Sequence, residues 1–262
     1  MQPLSELLNL ARKTAIVTGG AKGIGYGIGY RLAEAGASVV IADLDETAAT
    51  KTATEFAAKG WKAIAVKVDV SSEPDVERMM AEAKAEFGSV DILVNNAGIY
   101  PSEPIANMSA EDFERVVHVN LRSVFLTTKH AAAAMRQAGK GGRIINISSI
   151  DALHPSMVGL AHYDASKHGV WGFTKNSALE LAADKIWVNA IAPGGVETPG
   201  TTAAQGDKAV DPQVMQAFMA KIPMHRMGQP DDIGKVAVFL ASDMASYMTG
   251  SQIVVDGGAL LS

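Results

Sequence analysis

Cysteine is absent from the 262-residue sequence. Its absence excludes disulfide bonds, thiolate catalysis and cysteine-based metal sites, and it fits a reducing compartment. Long apolar segments are absent too, because no uninterrupted run approaches the about 18 residues that a membrane-spanning helix needs. Residues 1–13 contain a glutamate, and no positive charge precedes their short apolar stretch, which is not the pattern of a secretory signal. We therefore expect a cytoplasmic protein with no membrane partner.

The sequence also has few charges, which make up 19% of its residues. The net charge is −5, so there is no basic excess with which to bind nucleic acid. The six histidines show no metal-ligand spacing with carboxylates, and we predict no metal site. Apolar residues make up 48% of the chain, enough for a large core. At this length we expect one α/β domain over residues 1–262.

Short β-branched segments alternate with longer segments of helical pattern. We predict strands at 13–18, 38–43, 62–70, 91–98, 143–148, 185–193 and 252–258, and helices at 24–35, 46–59, 73–87, 110–136, 161–183 and 231–241. Gly36, Gly60 and Gly88 directly follow the first three helices, where a left-handed cap is expected. Strands that alternate with helices and read as continuous apolar runs predict an α/β fold with a parallel sheet wound on both faces.

Residues 198–223 interrupt this alternation. The segment is rich in small and polar residues, with methionine and phenylalanine at helical spacing near its end. It is too long for an ordinary connection, and long insertions often form lids over active sites. We therefore interpret this segment as a lid insertion.

A glycine-rich turn lies between the first predicted strand and the first predicted helix. Its glycines are Gly19, Gly20, Gly23 and Gly25. Glycine lets the backbone approach a pyrophosphate closely, and a helix N-terminus offers N–H groups and a positive dipole. The alternative is a tight turn without a ligand, but the strand before it and the helix after it favour a dinucleotide site.

Asp43, at the end of the second predicted strand, indicates which dinucleotide binds. A carboxylate there accepts hydrogen bonds from the adenosine ribose and repels a 2′-phosphate, which favours NAD over NADP. Alternatively, Asp43 is a solvated residue that opens the next helix, and Lys22 in the glycine turn attracts a 2′-phosphate. Because the ribose lies at the carboxyl end of this strand, we expect NAD.

Tyr163 and Lys167 are four residues apart in a predicted helix, which puts their side chains on one face. An ammonium group favours a phenolate, so we expect Lys167 to lower the pKa of Tyr163 and make it a proton donor and acceptor near neutral pH. Ser149 lies fourteen residues before the tyrosine and would supply a further hydrogen bond. Alone, the pair would be an ordinary surface pair on a helix. Beside the glycine turn and Ser149 it predicts acid–base catalysis.

The motifs of the sequence, in their order along the chain, resemble those of the short-chain dehydrogenase/reductase family of the type about 250 residues long. The matching motifs are TGGAKGIG from Thr18, NNAG at 95–98, Asn120, Ser149, YDASK from Tyr163, PGGVET at 193–198, RMGQPDDI at 226–233 and VVDGG at 254–258. The resemblance implies a single Rossmann-like domain with a seven-stranded parallel sheet, usually assembled as a homotetramer. It also implies hydride transfer between NAD(H) and a small secondary alcohol or ketone.

The resemblance assigns roles to matching residues. Tyr163 would exchange the proton of the substrate hydroxyl, Lys167 would bind the nicotinamide ribose, and Ser149 would hydrogen-bond the reacting oxygen. Asn120 would hold a water that links the lysine to solvent, with a polar core residue or a helix kink as the alternative. The serine-to-tyrosine interval is one longer than usual, so Ser148 is an alternative to Ser149. Further implied cofactor contacts are Ile24, Leu44, Asp69, Val70, Asn96, Ala97, Gly98, Pro193, Gly194, Val196 and Thr198.

Asp151 offers a first indication of the substrate. It lies two residues after Ser149, where many relatives have a small residue, and we expect it to face the pocket. A carboxylate there would bind a second hydroxyl and favour a polyol, sugar or cyclic diol; alternatively, it only pins its own loop. Further candidates for the pocket wall are Tyr100, His154, Met157 and His162.

Two other functions compete with alcohol oxidation. One is the reduction of 3-oxoacyl thioesters with NADPH, which Asp43 and the acidic character of residues 178–184 oppose. The other is an NAD(H) sensor without turnover. Such a sensor would usually have lost the tyrosine or the lysine, and both are intact here.

Overall fold

The computed structural model describes residues 1–200 and 219–262. These residues contain seven strands: β1 (Thr14–Thr18), β2 (Ser38–Asp43), β3 (Ala63–Lys67), β4 (Ile92–Asn95), β5 (Gly142–Ile147), β6 (Ile186–Pro193) and β7 (Gln252–Val255). They form one sheet in the order β3-β2-β1-β4-β5-β6-β7, and every neighbouring pair is parallel. Residues 201–218, most of the predicted lid, lie outside the described residues.

Helices cover both faces of the sheet. Their bounds are α1 (Leu4–Leu7), α2 (Gly23–Glu34), α3 (Glu46–Ala58), α4 (Glu73–Phe87), α5 (Ala110–Val117), α6 (Ser123–Ala138), α7 (Ala161–Leu181) and α8 (Pro230–Ala241). One buried apolar cluster joins the sheet to α2, α3 and α8, and a second joins it to α4, α6 and α7. Among the described residues, no helix combines the length and apolar character needed to cross a membrane.

Strand β1 explains why the strands read as continuous apolar runs. Ala15 and Val17 belong to the first cluster, whereas Ile16 between them belongs to the second. Successive strand residues point to opposite faces, so a sheet with a core on each face needs apolar residues at every position. The predicted Rossmann-like α/β sheet with seven parallel strands is therefore confirmed. The left-handed glycines after α2, α3 and α4 are confirmed too, with φ of +100°, +82° and +86°.

The predicted helix 110–136 is wrong in one respect. It is not a regular α-helix, because a π-helical turn at His118–Arg122 separates α5 from α6. Asn120 lies in this turn, and its side-chain amide binds both backbone polar groups of Ile99. The wider turn thus brings a buried amide to the loop after β4. A π-helical turn inside a helix often occurs at a functional site.

The strand order places a crevice beside β1. Strand β1 lies between β2 and β4, so the chain crosses from one side of the sheet to the other between β3 and β4. In open α/β sheets, ligands bind at the carboxyl ends of the strands beside such a switch. The glycine turn follows β1 here, and the loops after β4, β5 and β6 end at the same edge.

Candidate active site

A cavity of about 550 Å³ opens at the carboxyl edge of the sheet. Most of the predicted site residues line it: Gly19, Lys22, Gly23, Ile24, Asn96, Ala97, Gly98, Tyr100, Ser149, Asp151, Met157, Tyr163, Lys167, Pro193, Gly194, Val196 and Thr198. The predicted residues outside its wall are Gly25, Asp43, Leu44, Asp69, Val70, Asn120, His154 and His162. The structure therefore brings the glycine turn together with Ser149, Tyr163 and Lys167 at one cavity, whereas Asn120 lies outside its wall.

The glycine turn, residues 19–25, fits a pyrophosphate group. Gly19 and Gly23 have φ of +61° and +55°, which L side chains rarely adopt. A Cβ on Gly25 would lie only 2.1 Å from the Gly19 carbonyl oxygen, so a larger residue has no space there. Lys22 precedes α2 without a side-chain hydrogen bond to the helix, which leaves N–H groups of the first turn for a ligand.

The side chain of Asn96 holds this turn in place. Its Nδ2 donates to the carbonyl oxygens of Thr18 and Gly19 at 2.9 and 3.0 Å. The Thr18 hydroxyl accepts the backbone N–H groups of Asn96 and Ala97 at 3.0 and 3.1 Å. The loops after β1 and β4 are thus joined by hydrogen bonds before any ligand contributes.

Two carboxylates, those of Asp43 and Asp45, lie at the carboxyl end of β2. The Asp43 carboxylate accepts the N–H groups of Ala21 and Asp45 at 3.1 and 3.0 Å. Lys22 Nζ forms an ion pair of 2.8 Å with Asp45, and this contact holds the pKa of Asp45 below its usual value. The lysine in the glycine turn is therefore already paired with an acidic residue.

Three of the implied cofactor contacts, Leu44, Asp69 and Val70, lie outside the cavity. Leu44 is exposed, and Val70 is buried. The carboxylate of Asp69 accepts the Ser71 hydroxyl at 2.7 Å and the Ser71 N–H at 2.9 Å. These contacts order the loop after β3, next to the carboxyl end of β2.

Tyr163 and Lys167 lie one turn apart on α7, and both line the cavity as predicted. The Lys167 Nζ lies 5.6 Å from the centre of the Tyr163 ring. The ammonium group donates instead to the carbonyl oxygen of Ile147 at 2.8 Å. Lys167 is buried, and the loss of hydration lowers its pKa to about 8.

The expected lowering of the Tyr163 pKa is wrong for this arrangement. Burial of the phenol raises the pKa of Tyr163 well above its usual value, and the hydrogen bond with Ser149 opposes this only in part. The negative charge of Asp151 adds to the increase. Desolvation of the phenolate is the largest cause of this increase, and the Lys167 nitrogen binds a carbonyl oxygen instead of the phenol.

Ser149, not Ser148, contacts the tyrosine. The Ser149 side chain hydrogen-bonds Tyr163 and donates to Asp151 Oδ2 at 2.9 Å. It also caps the short 3₁₀ helix Ile150–Ala152 by accepting the Asp151 N–H at 3.1 Å. The Ser148 hydroxyl turns towards α7 and donates to the Lys167 carbonyl oxygen at 3.3 Å. The geometry therefore favours Ser149 despite the longer interval.

Asp151 both faces the cavity and pins its own loop, and its binding of a substrate hydroxyl stays a prediction. It is buried in the cavity wall, and its Oδ1 also pins the loop by accepting the Ser156 N–H at 2.9 Å. Tyr100 and Met157 line the cavity as predicted. The expectation for two histidines is wrong: neither His154, which is exposed, nor His162, which is buried beside the cavity, belongs to the lining. His154 lies beyond the short 3₁₀ helix, which carries it to the surface.

Asn120 is buried next to the site and does not line the cavity. Its amide exchanges two hydrogen bonds of 2.8 Å with the backbone of Ile99 and donates to Ser166 Oγ at 3.1 Å. A Cβ on Gly98 would lie 3.2 Å from Asn120 Oδ1 and 3.7 Å from Lys167 Nζ. Asn120 thus fixes the loop that runs past Lys167. Its role in a water relay stays a prediction.

Several residues of the wall carry no recognisable sequence signal. Ile147 acts through its backbone carbonyl oxygen, which the residue type does not reveal. Leu160 and Ser156 belong to the loop before α7 and reach the cavity through the path of that loop. Gly195 belongs to the PGGVET motif and follows two predicted residues, so the motif itself was a usable signal for it.

One cluster elsewhere combines a histidine with carboxylates. Glu73, Glu77 and His130 offer ligand atoms within 4.8 Å of one another, a proximity that their spacing in the sequence does not suggest. Glu73 already accepts Lys129 Nζ at 2.7 Å and pairs with His130 Nε2 at 3.0 Å. The cluster is therefore an ion-pair network between α4 and α6.

Comparison with known proteins identifies the class to which this site belongs. A family model described as enoyl-(acyl carrier protein) reductase matches residues 19–259. The 3beta-hydroxysteroid dehydrogenase 2 of Eggerthella lenta is 43% identical over 95% of each chain. The L-rhamnose 1-dehydrogenase (NAD(P)(+)) of Azotobacter vinelandii is 38% identical over 97% of this chain and 98% of its own. The 3-oxoacyl-(acyl-carrier-protein) reductase FabG of Aquifex aeolicus is 38% identical over 96% and 98%.

A solved structure agrees with these relatives. A short-chain type dehydrogenase/reductase from Mycobacterium marinum is 36% identical and matches with a TM-score of 0.92, over 98% of this chain and 99% of that chain. The chain therefore belongs to the short-chain dehydrogenase/reductase family, as its motifs predict. It is an oxidoreductase of this family, whose members generally use NAD(P) and act on small molecules.

Proposed function

We propose that the protein is an NAD-dependent dehydrogenase that interconverts secondary alcohols and ketones. The observation that carries this proposal is that Ser149, Tyr163 and Lys167 line the same cavity as the glycine turn. When bound, the nicotinamide would accept a hydride from the alcohol carbon or return one to the ketone. Tyr163 would take or give the hydroxyl proton, and Ser149 would hydrogen-bond the reacting oxygen. Lys167 would hold the nicotinamide ribose.

The raised pKa of Tyr163 suits one direction of this reaction. A phenol that keeps its proton at neutral pH can donate it to a ketone oxygen during reduction. Oxidation needs the phenolate, which the Lys167 ammonium and the positive charge of oxidised NAD⁺ both favour. Alcohol oxidation should therefore increase with pH, whereas ketone reduction should not.

The preference for NAD rests on the acidic end of β2. Asp43 is oriented by two backbone N–H groups, and Asp45 pairs with the cation that would otherwise attract a 2′-phosphate. Two carboxylates at this position favour ribose hydroxyls and disfavour a phosphate. NADP is the less favoured dinucleotide.

The substrate class that we favour is a polyol, sugar or cyclic diol, because Asp151 lines the cavity beside Ser149. The relative named as a rhamnose dehydrogenase is consistent with this class. The reduction of 3-oxoacyl thioesters with NADPH is the second candidate, since FabG is a relative and the family model is described by an acyl-carrier-protein substrate. A non-enzymatic NAD(H) sensor is disfavoured, because Tyr163 and Lys167 are both in place.

The direct test measures turnover spectrophotometrically with NAD⁺ or NADP⁺ and a panel of secondary alcohols. The same assay is run in reverse with ketones and a 3-oxoacyl thioester. We expect alcohol oxidation with NAD⁺ as the better oxidant. Faster reduction of the thioester with NADPH would support the second candidate, and binding of NADH without turnover of any substrate would support the sensor.

We also propose a cytoplasmic homotetramer whose chain forms one domain. Exposed apolar side chains on three neighbouring helices support self-assembly: Phe113 on α5, Phe125 on α6 and Leu179 on α7. Light scattering coupled to size-exclusion chromatography measures the mass directly. A monomer over a range of concentrations would contradict this assembly.

A further inference from the structure

The hydrogen bonds of Asp151 leave part of its carboxylate unused. Oδ1 accepts the Ser156 N–H and Oδ2 accepts the Ser149 hydroxyl, each at 2.9 Å. Within residues 1–200 and 219–262, Asp151 forms no ion pair. A carboxylate offers about four acceptor sites. A buried charge without a cation is stabilised by additional hydrogen bonds, and Asp151 lines the cavity through which a donor would enter.

Ser149 has a single hydroxyl proton, and it gives that proton to Asp151 Oδ2. Ser149 Oγ in turn accepts the Asp151 N–H. In this arrangement the serine hydroxyl is directed at the Asp151 carboxylate. Ser149 can donate to a ketone oxygen only after its hydroxyl turns away from Oδ2, and that turn would leave a buried carboxylate oxygen without its donor.

We propose that Asp151 is a specificity-determining residue that accepts a hydrogen bond from a second substrate hydroxyl, on the carbon next to the reacting one. This hydroxyl would replace the Ser149 proton at Oδ2 and free Ser149 to donate to the reacting oxygen. The inference deepens the proposed function and rests on it. Ser149 Oγ and Asp151 Oδ2 are 2.9 Å apart, so hydroxyls on adjacent carbons can reach both atoms. No covalent step is added, because the second hydroxyl keeps its proton.

The charge of Asp151 also narrows the substrate class. A substrate carboxylate next to the reacting carbon would place two like charges close together, which is unfavourable. A hydroxyl at that position would donate a hydrogen bond to a carboxylate. Hydrogen bonds to an ionised acceptor are stronger than those between neutral groups. The substrate is therefore a neutral vicinal diol, polyol or sugar, and 2-hydroxy acids are disfavoured.

The test compares a vicinal diol with the alcohol that lacks only the second hydroxyl, such as 2,3-butanediol with 2-butanol. Asp151→Asn keeps an acceptor for the Ser156 N–H and removes the charge. We expect it to reduce the ratio of kcat/KM for the diol over the mono-alcohol by about 10–100-fold, the range for a hydrogen bond to a charged group. The ratio, rather than the rate with either alcohol, is the readout, because the substitution also changes the group that binds the Ser149 hydroxyl.

Asp164→Asn is the matched control. Asp164 is a partly buried carboxylate that also raises the pKa of Tyr163, but it does not line the cavity. This variant should move the pH profile of oxidation without changing the preference for the diol. Thermal unfolding of each variant checks that the fold persists.

A second readout needs no turnover. Calorimetric titration of the NADH-bound protein with 2,3-butanediol and with 2-butanol should show tighter binding of the diol, and Asp151→Asn should abolish the difference. Equal losses for the two alcohols, or an unchanged preference for the diol, would overturn this inference while the dehydrogenase activity stands. If the wild-type protein oxidises no alcohol of the panel, these two included, the proposed function is overturned and this inference with it.

Discussion

The two halves of the cavity are built from different kinds of groups. The nucleotide half, the glycine turn and residues 95–98, presents mainly backbone: glycines with positive φ, the open N-terminus of α2 and a loop held by Asn96. The catalytic half, residues 147–151 and 163–167, presents side chains whose chemistry depends on burial. Burial lowers the pKa of Lys167 and raises the pKa of Tyr163, so it favours the neutral form of both side chains.

This difference determines what a substitution can do. In the nucleotide half a substitution acts sterically, because a Cβ added to a glycine clashes with the backbone or with the ligand. In the catalytic half a substitution that conserves shape can still remove a proton, a charge or a hydrogen bond. The two halves should therefore be separable, with binding of the dinucleotide lost in one and turnover lost in the other.

Tyr163→Phe should give the largest effect. It removes the group that exchanges the substrate proton, so kcat should fall by about 10²–10⁴-fold, the usual contribution of a general acid or base. The dissociation constant of NADH, measured by fluorescence, should change little. Retention of most turnover would contradict the role of the tyrosine, and loss of NADH binding would contradict the separation of the halves.

Gly25→Ala should break the nucleotide half. The added Cβ would lie 2.1 Å from the Gly19 carbonyl oxygen, so the turn must shift. Overpacking of this kind costs about 1–3 kcal/mol, and we expect NADH binding to weaken by about 10–100-fold. Gly172→Ala is the control, because a Cβ at Gly172 meets no atom of the described residues within 4 Å. Equal effects of the two substitutions on NADH affinity would refute the proposed role of the turn.

Asp43→Ala tests the choice of dinucleotide. Loss of the carboxylate removes an acceptor for the ribose and a repulsion of the 2′-phosphate, so the ratio of kcat/KM for NADP⁺ over NAD⁺ should increase by about tenfold. Asp69→Ala serves as the control, since Asp69 follows the neighbouring strand and contacts Ser71. An unchanged ratio in Asp43→Ala would show that Asp43 does not select NAD.

Asp164→Asn should have the smallest effect. The negative charge of Asp164 contributes to the raised pKa of Tyr163, so its removal lowers that pKa. Oxidation requires the phenolate, and the rising limb of kcat/KM against pH should therefore move to lower pH, by less than about one unit. A shift to higher pH, or the same profile as the wild-type protein, would contradict this electrostatic coupling.

The sequence predicts the fold and the nucleotide half well because their signals are local. Continuous apolar strands, glycine caps after three helices and the glycine turn after β1 depend on neighbouring residues. Ser149, Tyr163 and Lys167 are also recognisable, because motif spacing places them on adjoining elements. These three residues line one cavity.

The electrostatics of the catalytic half could not be predicted in the same way. The spacing of Tyr163 and Lys167 indicates proximity but not burial, and burial reverses the expected direction of the tyrosine pKa. The acceptor of the Lys167 ammonium is a backbone carbonyl, which has no sequence signature. The π-helical turn around Asn120 likewise depends on a tertiary contact with Ile99.

The pairing of β1 fixes the reach of the glycine turn. Thr14 pairs with Ser38 and Thr18 with Ala42, so the turn begins at a fixed position relative to the carboxyl edge of the sheet. Deleting one residue inside β1 would retract the turn by about 3.3 Å and move the side chains that follow the deletion to the opposite face of the sheet. Both cores accept aliphatic side chains from this strand, but the Thr18 hydroxyl would lose its contacts with Asn96 and Ala97. The length of this strand should therefore be constrained more tightly than the identity of its aliphatic residues.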